Sequence, residues 1–133
     1  MNNLKAFLNP VKADSKQIVV SNRFLDDNGQ AIPFTIRPLS QEINDRIQRK
    51  HMKKDKTGQI NFNQNDYMND LVAESVIYPD LENADLQQAY GAFSKTELIK
   101  KMLLAGEYMN LLLEVQKISD LTSEEDLIEE AKN

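Results

Sequence analysis

Apolar positions follow strand-like alternation early in the chain and helical spacing through its second half. The longest consistent stretch is residues 94–121, SKTELIKKMLLAGEYMNLLLEVQKISDL. Ser94 and Glu97 have the spacing of a capping box, which predicts a helix from about Lys95. Leu98, Ile99, Met102 and Leu103 then share one face, with Lys100 and Lys101 off it. Gly106 would cost a helix interior about 1 kcal/mol relative to alanine. A break is therefore expected at Ala105-Gly106, with Gly106 as the left-handed closing residue. A second helix follows over residues 107–119, striped by Tyr108, Leu111, Leu112, Val115 and Ile118. Leu104, Met109 and Leu113 fall outside both stripes. A second buried face is the simpler reading of these three, and an exposed patch that takes a partner is the sharper one.

Upstream, residues 16–25 and 31–39 read as two strands around an Asn28-Gly29 turn, with Pro33 at an unpaired edge. Leu4, Phe7 and Leu8 suggest a helical turn or arm that docks on its own domain or on a neighbour. Ser40 caps a helix over residues 41–52, with Ile43 and Ile47 pointing inward. Residues 55–65 read as a loop with a short extended piece at Ile60 to Phe62. A core helix over residues 64–78 stops at Pro79, and a short one over residues 83–90 ends at Gly91. Phe93 is either a hydrophobic staple onto Leu98 or an exposed anchor, the staple being preferred. The fold class expected is α+β: an N-terminal β-hairpin followed by a predominantly helical small domain of about five helices. Residues 1–121 are expected to form that domain, and 122–133 an acidic tail, mobile or docked on the basic region.

Charge adds an asymmetry. The net charge is −5, but residues 1–60 carry 11 cations against 6 carboxylates and residues 61–133 carry 5 against 15. The halves therefore attract, across one fold or between copies. Arg46, Arg49, Lys50, His51, Lys53, Lys54 and Lys56 form a basic stretch at a helix end. A solvated end is the plainer account of it. A nucleic-acid patch would want interleaved aromatics, which are absent. With no cysteine and one histidine, neither thiol chemistry nor a zinc site is indicated, and no catalytic constellation appears. The DDNG run lacks the ligand spacing of a calcium loop. No cofactor is expected. No apolar run is long enough to span a bilayer, and the N-terminus lacks the pattern of a signal peptide.

Four segments, in order, carry a resemblance to a family. They lie around residues 20–37 (SNRFLDDNG and IPFTIRPL), 73–80 (AESVIYPD), 84–91 (ADLQQAYG) and 102–121 (MLLAGEYMNLLLEVQKISDL). Together they resemble the XkdN-like tail assembly chaperones of long-tailed phages and defective prophages. The chain departs from the usual pattern at Ala105, where proline is common, and at Ser119-Asp120-Leu121, where Asn-Gly-Phe is common. The resemblance implies a non-enzymatic cytoplasmic protein that binds the tape-measure protein, keeps it soluble during long-tail assembly, and is absent from the mature particle. Tail-tube subunits and self-association are admitted as further contacts; a membrane is not. Candidate partner-binding residues are Phe93, Leu104, Tyr108, Met109, Leu112 and Leu113. The competing readings are a structural tail or head-tail connector protein and a small nucleic-acid-binding regulator.

Overall fold

The structure, a computed structural model, describes residues 3–121. After a short α1 (Leu4–Leu8), the strands β1 (Lys16–Ile18) and β2 (Phe34–Ile36) form the expected hairpin. They pair antiparallel, with Lys16 opposite Ile36 and Ile18 opposite Phe34. The ladder is shorter than the sequence pattern predicts. Pro33 has no amide to donate and sits just ahead of β2. Beyond it, pairing resumes only as an isolated bridge between Leu25 and Ala31. The Asp26 carboxylate closes the turn by accepting from the amides of Asn28 and Gln30, both at 2.9 Å. Gly29 takes a φ of 77° there, a conformation costly for residues with a Cβ.

Helix α2 (Gln41–Lys50) starts where expected, with the Ser40 hydroxyl accepting from the Ile43 amide at 3.3 Å. It stops earlier than the sequence suggests, because the chain turns directly into a second hairpin, β3 (Met52–Lys54) and β4 (Ile60–Phe62). The stretch read as a loop is thus the turn and return strand of that hairpin. Asp55 organises it as Asp26 organises the first, accepting from Thr57 and Gln59 amides at 2.9 Å ahead of Gly58 at φ 88°.

Helix α3 (Gln64–Ser75) ends three residues before the predicted stop. Val76, Ile77 and Tyr78 instead form β5 (Val76–Tyr78), which pairs antiparallel with β2 and gives a sheet ordered β1-β2-β5. Two β-branched residues and a tyrosine suit a pleated surface, and Pro79 biases its predecessor towards extended backbone. Buried Ser75 fixes the transition: its hydroxyl donates to the Arg37 carbonyl at 2.7 Å, and the Arg37 amide returns a bond to the Ser75 carbonyl.

Helices α4 (Ala84–Tyr90), α5 (Lys95–Met102) and α6 (Ala105–Ile118) complete the described chain. Gly91 ends α4 in the left-handed conformation, φ 64°. The break between α5 and α6 falls at Leu103 and Leu104, both extended, and not at Gly106. Gly106 lies inside the first turn of α6, because the Glu107 carboxylate accepts the Leu104 amide at 2.8 Å and fixes the start at Ala105.

The main core joins Val20, Phe34 and Ile36 to Val72 and Val76, to Leu98, Ile99 and Met102, and to Leu111 and Val115. A smaller cluster of Ile47, Tyr67 and Leu71 holds α2 onto α3, with Ile43 packed against it. The segment 122–133, expected as an acidic tail, lies outside the described residues.

Candidate partner-binding surface

Helix α6 is held to the rest of the fold by its polar groups as well as by its core seam. The Arg23 guanidinium forks onto Glu107, at 2.6 and 3.2 Å, and donates to the Met102 carbonyl at 2.8 Å. Arg23, with Ser21 and the Leu104 amide, holds the Glu107 carboxyl down at about 2. Farther along, Lys16 reaches Glu114 at 2.9 Å. The Tyr108 hydroxyl donates to Asn69 of α3. Burial pushes that phenol up to about 12, and the Asp70 charge adds to the shift.

These restraints fix which residues point away. Leu111 and Val115 are buried, while Tyr108 and Leu112 are partly buried against the main core. Leu104 and Met109 stay 59% and 53% exposed, and Leu113 is half-buried between the two groups. With Ala105 and Gly106, which are also exposed, they make an apolar edge along the start and outer side of α6. Met109 and Leu113 are one turn apart and so are neighbours on the helix surface.

Phe93 is 90% exposed, so it does not staple onto Leu98. The Ser94 hydroxyl caps the Glu97 amide as expected, at 3.1 Å. The return bond differs: the Glu97 carboxylate takes the Phe93 amide, one residue earlier, at 3.1 Å. That bond fixes the Phe93 backbone while its ring faces outward. Phe93 and Leu104 flank α5, whose eight residues span about 12 Å. The six candidate residues therefore divide. Leu104, Met109 and Leu113 form the edge of α6, Phe93 stands apart from it, and Tyr108 and Leu112 support it from beneath.

Four side chains of the basic stretch, Arg46, Arg49, Lys50 and His51, reach carboxylates within the fold. Glu74 of α3 meets Arg37 at 2.9 Å, Arg46 at 3.3 Å and Lys95 at 3.0 Å. One turn earlier, Asp70 meets His51 at 2.6 Å, Lys50 at 3.1 Å and the Thr96 hydroxyl at 2.6 Å. Burial pushes both carboxyls up. The hydrogen bonds and positive charges around each outweigh it, so both lie below the usual carboxylate range. Arg49 pairs within α2 with Asp45 at 2.7 Å. Most of these pairs join a cation of the first half to a carboxylate of the second, so part of the charge asymmetry is matched within one fold. Among the described residues no group of acidic, histidine or cysteine side chains could hold a metal, and no helix is long and apolar enough to cross a membrane.

The profile of the phage XkdN-like tail assembly chaperone proteins (TAC) matches residues 4–132. The chain belongs to this family. It is 33% identical over 129 residues to the phage-like element PBSX protein XkdN of Bacillus subtilis strain 168, an alignment covering 92% of this chain and 87% of that one. Identity to the YqbN protein of the same strain is 27% over the same shares. A crystal structure of YqbN has the same fold, with a TM-score of 0.74 at 23% identity over 86% of this chain and 94% of the other. In this tail assembly chaperone, the Arg23–Glu107 clamp ties two of the segments that carry the family likeness, SNRFLDDNG and GEYMNLLLEVQ. Glu107 also lies in the first turn of α6, where a carboxylate favours the helix dipole, and no pattern in the sequence gives Arg23 a role. Nothing in the spacing of two residues 84 positions apart signals their pairing.

Proposed function

We propose that this tail assembly chaperone binds the tape-measure protein in the cytoplasm and keeps it soluble until tail-tube subunits polymerise around it, and that it is left out of the finished particle. Family membership supports the assembly role. The observation that supports the contact is the outward edge of α6, where Leu104 and Met109 are both more than half exposed on a helix otherwise fixed by core packing and ion pairs. A tape measure is a long chain whose apolar helical segments are an aggregation hazard before assembly. An apolar helix edge on a rigid support is a suitable cover for such segments.

Co-expression with the tape-measure protein encoded beside it tests the role. The tape measure is expected to move into the soluble fraction and to co-purify with the chaperone, and purified particles are expected to lack the chain. A tape measure that stays insoluble, together with the chain appearing in particles, would establish the structural-protein reading instead.

A further inference from the structure

An apolar pocket of about 180 Å³ opens between the first hairpin, β5, α4 and α5, lined by Phe24, Ile32, Phe34, Tyr78, Leu86 and Met102. A cavity of about 150 Å³ is enough to admit a benzene ring, so one phenylalanine side chain fits its size. The two segments that connect pocket residues, 25–31 and 80–85, the second running into the first turn of α4, carry Asp26, Asp27, Asp80, Glu82 and Asp85, all exposed, and no cation. The nearby Arg23 is already paired with Glu107.

The complementary object is at the N-terminus of the same sequence. Phe7, Leu8 and Val11 are 80%, 67% and 99% exposed, and α1 buries none of its residues. Leu4, Phe7, Leu8 and Val11 follow helical spacing, although α1 itself stops at Leu8. Residues 3–12 carry Lys5 and Lys12 and no carboxylate, a net charge of +2 against −5 on the two segments that flank the pocket. In the isolated chain an apolar, basic arm and an apolar pocket flanked in sequence by acidic segments are both left uncovered.

We propose that the N-terminal arm of one copy docks Phe7 into this pocket of a second copy, and that the second copy returns the contact, giving a two-fold arm-exchanged dimer. A reciprocal exchange buries two arms for one association and leaves neither pocket open. The charge difference sets which surface the arm selects. The proposal stands apart from the tape-measure reading, since it uses neither α6 nor its apolar edge.

Sedimentation equilibrium of the full chain over a concentration series tests it. The wild type is expected to pass from monomer to dimer. Phe7→Ser with Leu8→Ser is expected to weaken dimerisation by at least about tenfold, with unchanged thermal unfolding at concentrations where both proteins are monomeric, because both side chains are exposed in the isolated chain. Two charge variants sharpen the test: Lys5→Glu with Lys12→Glu on the arm, which turns it from +2 to −2, and Asp27→Lys, Glu82→Lys and Asp85→Lys together beside the pocket, which turn its flanking segments from −5 to +1. Each alone should be monomeric at concentrations where the wild type dimerises. An equimolar mixture should dimerise, because both arm–rim contacts are then between opposite charges. A wild type that is monomeric throughout the series, a dimer indifferent to Phe7 and Leu8, or a monomer in which Phe7 is covered by its own chain would each overturn the proposal.

Discussion

Helices α3 and α6 invert the usual relation between composition and burial. In α3, five of twelve residues are apolar (Tyr67, Met68, Leu71, Val72 and Ala73), yet five of its residues are buried. In α6, eight of fourteen are apolar, yet only Leu111 and Val115 are buried. The polar helix sits centrally because its carboxylates are matched: Asp70 by His51, Lys50 and Thr96, and Glu74 by Arg37, Arg46 and Lys95. The apolar helix lies at the margin, with more apolar surface than the core takes up. That uncovered surface is the observation on which the proposed partner contact rests.

The largest effect should come from the covered seam. Leu111→Ala is expected to cost about 2–5 kcal/mol, the range for truncating a buried leucine, read by denaturant unfolding. On α3, Glu74→Ala leaves three cations facing a partly buried gap and is expected to cost about 1–2 kcal/mol, by the same measurement. Both substitutions test whether the core and the ion-pair seam, and not the α6 edge, hold the fold together.

The carboxylates also set an acid limit. Asp70, Glu74 and Glu107 all titrate below their ordinary values, Glu107 at about 2 instead of 4.5. A depressed folded-state pKa stabilises fully above the unfolded value, and that stabilisation is lost as pH falls through the folded one. The melting temperature should therefore fall as the pH is lowered from about 4.5 towards 2. Glu107→Gln should flatten part of that fall, and an unchanged acid limb in this variant would remove the Arg23–Glu107 pair from the account. The smallest effect on folding belongs to Met109→Ser, expected within about 0.5 kcal/mol of wild type because the side chain is already more than half exposed.

How far the sequence disclosed this arrangement varied with the range of the interaction. Local devices were readable: the Ser40 and Ser94 caps, the Gly91 stop and the Asn28-Gly29 turn are set by neighbours in sequence. The second hairpin reads as a loop, although Asp55-Lys56-Thr57-Gly58-Gln59 repeats the Asp-x-x-Gly-Gln pattern of Asp26-Asp27-Asn28-Gly29-Gln30. Its polar strands, with all six residues exposed, carry no hydrophobic alternation to draw attention to them. The end of α3 was masked because Val76 continues its helical stripe, and the choice between helix and strand is made by the edge of β2, distant in sequence. The joint before α6 lies two residues earlier than expected because its N-cap is a leucine, which gives no capping sign in sequence, and the start is fixed only by the Glu107 carboxylate taking the Leu104 amide. Which residues of α6 face outward depends on the long-range Arg23–Glu107 clamp and on core packing.

Leu104 offers the most direct test. It occupies the N-cap of α6, where its side chain caps nothing and is 59% exposed, so leucine is a poor local choice on both counts. A residue that is locally unfavourable yet fixed in place is expected at a contact surface. Leu104→Ser should therefore separate stability from binding. Serine at this position is expected to stabilise the fold by about 0.5–1 kcal/mol, while co-purification of the tape-measure protein falls by at least about tenfold. A variant that is more stable and binds the tape measure as well as wild type would contradict the account, because the outward edge of α6 would then not be where the partner sits.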